Sequence, residues 1–158
     1  MTILLLISIK LHATVIPSII TNNEFFINDK IVKFDKFIII SISSYGVGTL
    51  FFINKDEVLL KTKISGGTKD KPTPYGFFPI ISKTKFHMSN LYPDPSGINN
   101  MDDMIRLTNG GIAIHKGSVD FFSHGCIHVD RLTSKILFNL STKKLPVIIT
   151  NEDYEEFL

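Results

Sequence analysis

The chain has 158 residues and a mass of 17.8 kDa, enough for one ordinary domain and too little for two. Hydrophobic residues make up 44% and charged residues 20%, which excludes a disordered chain. A formal net charge of +2 makes no basic face for nucleic acid, and one cysteine excludes both an internal disulfide framework and a multi-cysteine zinc module.

The 24 Ile and 13 Phe lean the domain toward β-structure. Lysine outnumbers arginine 15 to 2, the codon bias expected of an AT-rich genome. Residues 3–9 (ILLLISI) are apolar but fall short of the ~20 residues that span a bilayer. They read as the core of a secretory signal within residues 1–16, or as a buried strand. Residues 17–36 read as a lead-in, 37–150 as the domain and 151–158 as a tail.

Residues 37–42 (FIIISI) predict a strand ended by Tyr45-Gly46-Val47-Gly48. Residues 49–53 and 58–64 predict a hairpin across Asn54-Lys55-Asp56, with Val58, Leu60, Thr62 and Ile64 on one face. Residues 65–74 (SGGTKDKPTP) are loop by every local rule. Residues 75–81 suit an edge strand because Pro79 cannot donate to a ladder. Residues 87–103 lack periodicity, and a loop that long in a small domain is usually functional. Residues 105–108 and 112–114 flank the Asn109-Gly110 turn pair. One helix is predicted after Asp130 as its cap, with Leu132, Ile136, Leu137 and Leu140 inward. Residues 145–150 close the chain as a strand. Seven or eight strands to one helix predict a mainly-β domain, sandwich or barrel-like, with one short helix in its C-terminal half.

The chemistry concentrates in residues 110–131, GGIAIHKGSVDFFSHGCIHVDR. Cys126 lies within eleven residues of His115, His124 and His128, three of the five histidines. A thiol becomes a competent nucleophile when a neighbouring imidazole takes its proton. Gly125 permits a tight turn whose backbone N–H groups converge on a developing oxyanion. The competing use of a free cysteine is as a small buried hydrophobe. A second competitor is a zinc shell of His115, His124, Cys126 and His128, although structural zinc sites favour two or more cysteines.

These residues resemble the signature of L,D-transpeptidase catalytic domains of the YkuD type. Ile114-His115-Lys116-Gly117 is similar to the family's Ile-His-Gly. Ser123-His124-Gly125-Cys126-Ile127 is similar to its Ser-His-Gly-Cys. Upstream, Ser65-Gly66-Gly67 and Thr73-Pro74-Tyr75-Gly76-Phe77-Phe78 resemble its Ser-Thr-Gly and Thr-Pro-x-Gly-x-Phe. Residues 101–115 (MDDMIRLTNGGIAIH) resemble its approach to the histidine. The resemblance runs from about residue 37 to 150.

It implies Cys126 as nucleophile and His115 as general base and acid. Spacing alone leaves His115 and His124 nearly tied for that role. It also implies that the Lys116 carbonyl orients His115, and that the N–H groups of Gly125 and Cys126, with His124, hold the oxyanion. Ser123 shapes the loop. Arg106, Lys116 and Tyr75 are candidates for holding substrate. The implied partners are peptidoglycan stem peptides, without cofactor, nucleic acid or stable membrane span; the protein is expected to be exported, and of its oligomeric states, which the sequence does not fix, the monomer is favoured. A wall-binding β-domain without turnover is the alternative. The family most often has Arg or Asn two residues after the cysteine, where this chain has His128, with Arg131 nearby. The loop from His115 to Cys126 is also shorter than in many members.

Overall fold

In the computed structural model, which describes residues 16–98 and 100–158, turn residues cut the chain into short strands. In order these are β1 (Ser18–Ile19), β2 (Glu24–Ile27), β3 (Lys30–Lys33), β4 (Lys36–Ile42), β5 (Val47–Asn54) and β6 (Glu57–Ser65). There follow β7 (Gly76–Phe77), β8 (Ser82–Thr84), β9 (Met104–Arg106), β10 (Ala113–Lys116) and β11 (Ile127–Val129). The helix α1 (Arg131–Leu140), β12 (Val147–Thr150) and a 3-10 turn (Tyr154–Phe157) complete the chain. Residues 3–9, read as a signal or a strand, lie outside the described residues.

The β4–β5–β6 meander forms as the pattern predicts. Asn54 pairs with Glu57 across Lys55 and Asp56, whose φ values of 50° and 65° give the type I′ turn that matches strand twist. Asn28 and Asp29 make a second such turn between β2 and β3. Nine strands form one sheet in the order β7-β12-β4-β5-β6-β11-β10-β9-β8. It curls so that its two halves enclose one core. Ile38, Ile40, Leu50, Phe52 and Val147 from one half meet Ile105, Ile114, Ile127 and Val129 from the other.

β1, β2 and β3 form a separate small sheet within the segment that pattern alone leaves as a lead-in. It covers the back of the large sheet. Ile19, Phe25 and Ile27 pack on Phe37, Ile39, Phe51, Ile53 and Ile148, and Tyr154 seals the edge. β4 is therefore apolar on both faces, which explains its unbroken run of large residues.

Three expectations need correction. Twelve strands are present among the described residues, more than the seven or eight expected, because many have only two to four residues. The edge strand near Pro79 shortens to Gly76–Phe77, though it does lie at the sheet edge. The helix starts at Asp130, whose carboxylate accepts from the N–H groups of Leu132 and Thr133. Its buried face, however, is Thr133, Ser134 and Leu137, while Leu132 is 68% exposed. The polar Ser134 turns inward because its hydroxyl donates to the buried Asp103 carboxylate at 3.0 Å.

Phe25 is fully buried, its ring centroid 5.2 Å from that of Phe37 in an edge-on contact. Phe25→Ala should cost about 3–5 kcal/mol in urea denaturation. A loss below about 1 kcal/mol would show that the small sheet adds nothing to the main core.

Candidate active site

β10 and β11 pair in parallel, with Ile114 opposite Ile127 and His115 opposite His128. Ile114, Ile127 and Val129 enter the core. Strand alternation therefore sends His115, Cys126 and His128 to the opposite face. There all three line one cleft of about 520 Å³. Parallel strands cannot be joined by a tight hairpin, so residues 117–126 must cross over between them. That crossover carries the Ser-His-Gly-Cys segment.

The crossover lies directly on the backbone of the Ser65-Gly66-Gly67 segment. Gly67 and Ser123 form a parallel bridge. The Ser123 N–H donates to the Gly66 carbonyl at 2.8 Å, and the Thr68 N–H donates to the Ser123 carbonyl at 3.1 Å. A Cβ at Gly67 would lie 2.0 Å from the Lys71 carbonyl oxygen and 2.9 Å from the Gly125 Cα, so no side chain fits. Thr73 ties the two segments together. Its hydroxyl accepts from the Gly67 N–H at 2.9 Å and donates to the Gly125 carbonyl at 3.0 Å. Gly125 itself has φ 116°, a value that side-chain-bearing residues rarely adopt.

His115 Nδ1 lies 2.8 Å from the carbonyl of its neighbour Lys116. A carbonyl only accepts, so Nδ1 carries the proton and Nε2 is left as the acceptor. Burial, reinforced by the nearby His128, brings the His115 pKa down to about 4. Burial pushes the Cys126 thiol up, partly opposed by a hydrogen bond from the Ala113 backbone. The thiol also lies 3.6 Å from the Gly111 carbonyl. At neutral pH the site therefore holds a neutral thiol and a neutral imidazole, not a preformed ion pair.

The other expected residues divide. His124 lines the cleft, but its ring stacks on Tyr92 with centroids 4.4 Å apart and an 18° interplanar angle. The Ser123 hydroxyl accepts from the Gly125 N–H at 2.9 Å and donates to the Cys126 carbonyl at 2.5 Å, closing the turn. This corrects the expectation for Gly125: Ser123 already takes its N–H. Arg106 and Tyr75 do not line the cleft. The Arg106 guanidinium folds back onto the Thr108 and Asn109 carbonyls, and the Tyr75 hydroxyl donates to the Ile42 carbonyl at 3.2 Å. Lys116 borders the cleft, but its ammonium pairs with Asp102 at 2.8 Å, and Asp102 lines a second depression rather than the cleft. Arg131 borders a separate charged depression.

The zinc reading is also corrected: among the described residues no three His, Cys, Asp or Glu side chains form a group that could hold a metal. His124 turns to Tyr92, while the Nδ1 atoms of His115 and His128 face backbone carbonyls. Sequence reasoning missed Lys71, Phe121 and Phe122 as cleft residues and Thr73 as the clamp. The Thr-Pro motif pointed to Thr73 without giving its partners. The loop 87–103 does line the cleft, through Ser89, Leu91, Tyr92, Ile98, Asn100 and Met101.

The depressed histidine has a consequence for stability. Unfolded His115 takes a proton near pH 6.5, folded His115 only near 4. Its contribution is complete above pH 6.5 and is lost as pH falls toward 4. The loss is on the order of 3 kcal/mol. Urea denaturation of wild type and His115→Gln across this window should give a steeper acid loss for wild type. Equal slopes would contradict the buried neutral imidazole.

The model of the YkuD L,D-transpeptidase catalytic domain matches residues 35–149. A search of curated proteins found no match. Among solved structures, an L,D-transpeptidase from Stackebrandtia nassauensis superposes with a TM-score of 0.63 at 19% identity, covering 75% of this chain and 56% of that one. L,D-transpeptidase 1 of Mycobacterium tuberculosis gives 0.57 at 22%, covering 80% and 70%. An Enterococcus faecium L,D-transpeptidase mutant gives 0.60 at 22%, covering 73% and 50%. The chain thus spans between half and somewhat over two thirds of these chains, and at such identities the likeness is one of fold. The family match covers most of the sequence, including both the histidine and the cysteine motifs: the chain belongs to the L,D-transpeptidase catalytic-domain family.

Proposed function

We propose that the protein is a cysteine-dependent transpeptidase that acts on the tetrapeptide stems of peptidoglycan through a thioester on Cys126. One observation carries this reading: a buried neutral imidazole with a fixed Nδ1–H tautomer shares a cleft and a sheet face with the chain's one thiol. A wall-binding module without turnover has no use for that arrangement.

Cys126 Sγ attacks the carbonyl carbon of the diamino acid at position three of the stem. Its proton passes to His115 Nε2, and the imidazolium is stabilised by the Lys116 carbonyl. The oxyanion is held by the N–H of Cys126, with that of His124 beside it. The C–N bond breaks, the proton returns to the departing amine, and the terminal D-Ala leaves. An amine of a second stem then attacks the thioester, gives up its proton through His115, and restores the thiol. This forms a three-to-three cross-link. Water as acceptor trims the stem, and a free D-amino acid exchanges the terminus. Proton transfer and oxyanion stabilisation each contribute ~10²–10³ in rate.

The cleft suits such a substrate. Lys71 lines it and, among the described residues, no Asp or Glu does, which favours the carboxylates of a stem peptide. Exposed Leu91, Ile98, Phe121 and Phe122 offer apolar walls to the rest of the peptide. A peptidoglycan substrate also places the working protein outside the cytoplasmic membrane.

The test is incubation with a disaccharide-tetrapeptide, following intact mass and released D-Ala. An adduct on Cys126, absent in Cys126→Ser, is expected. His115→Ala should slow acylation by ~10²–10⁴, and His124→Ala by much less. The reverse ranking would overturn the assignment of the base. One structural neighbour was solved in complex with imipenem, so imipenem serves as a second probe, its addition to Cys126 read by intact mass. Lys71→Ala should raise KM for the donor stem several-fold with kcat little changed. An unchanged KM would remove Lys71 from substrate binding.

A further inference from the structure

A second imidazole lies against His115. His115 and His128 are register partners on β10 and β11, and their rings meet edge to face at 4.9 Å and 69°. His128 fits closely: a Cβ on Gly117 would come within 2.6 Å of its ring, so only glycine leaves it room. Its Nδ1 lies 3.0 Å from the Ser118 carbonyl. Ser65, paired with His128 across β6 and β11, donates its hydroxyl to that same carbonyl at 3.1 Å and to the Phe121 carbonyl at 2.8 Å. His128 and Ser65 therefore grip both ends of segment 118–121. That segment joins the histidine strand to the nucleophile turn.

We propose that His128 is the positioning residue of this acyl-transfer site, fixing the His115 ring from the adjacent strand and anchoring the crossover through Ser118. The proposal rests on the reaction assigned above. Substitutions at position 128 separate its two contacts. An asparagine there keeps an amide donor for the Ser118 carbonyl but loses the ring contact, whereas an alanine loses both.

The other basic groups that act on His115 are His128, His87 and Lys116. Lys116 is neutralised in part by Asp102. Burial holds His128 below the ordinary histidine range, so it is neutral at pH 7 and adds no charge beside the base. Protonation of either ring opposes protonation of the other.

The test compares wild type, His128→Asn and His128→Ala by two readouts. Imidazole nitrogen NMR gives the His115 titration midpoint, and donor acylation gives kcat and KM. The midpoint should rise toward 6.5 in both variants, since a facing imidazole and part of the burial are gone. His128→Ala should lose ~10-fold or more in kcat with KM nearly constant, a fraction of what general acid–base catalysis supplies. His128→Asn should recover part of that loss. An unmoved midpoint with wild-type kcat would overturn the proposal. If wild type turns over no stem peptide, the reaction assignment fails, and the NMR midpoint still decides whether His128 sets the state of His115. If His128→Ala does not fold, His128→Asn decides.

Discussion

The parallel register of β10 against β11 is the constraint from which the site follows. With Ile114 opposite Ile127, two large aliphatic side chains enter the core together and His115 and His128 stand together on the other face. A slip of one residue would bury the imidazoles and expose the isoleucines. The core therefore enforces the register, and the register enforces the chemistry. Because the pair is parallel, the link between its strands must be a crossover, and Cys126 rides on that crossover.

The crossover is held by backbone rather than by large side chains. Gly67 lets the two loops approach to a separation that a Cβ would block. Thr73 uses one hydroxyl as both donor and acceptor across that contact, and Ser123 does the same within the crossover's own turn. A His115 ring oriented by a backbone carbonyl follows the same principle: the partner cannot titrate or swing away. The cost is an uncharged resting state, since burial disfavours both the thiolate and the imidazolium.

Elements whose signals are local were legible in the sequence. The β4–β6 meander was readable from its alternation and its Asn54-Lys55-Asp56 turn, and α1 from Asp130. The clustering of Cys126 with His115, His124 and His128 was plain in residues 110–131. What could not be read depends on distant partners. β1 to β3 are too short to show a period, and Ile19, Phe25 and Ile27 become core residues only against the back of β4 and β5. Leu132 faces outward because Asp103, thirty-one residues before Ser134, draws that serine inward. Arg106 and Tyr75 were sensible substrate ligands until the structure showed them bound to carbonyls away from the cleft. The Gly125 N–H was a sensible oxyanion donor until Ser123 was seen to take it.

Cys126 and His115 rest as a neutral pair in a cleft shaped by that register. An ultraviolet titration of thiolate absorbance tests it most directly, because the chain has one thiol. A neutral pair gives no thiolate signal near pH 7, with ionisation only above the ordinary thiol value of 9.0. Thiolate absorbance already present between pH 5 and 7, and lost in His115→Gln, would mean a preformed ion pair and would contradict it.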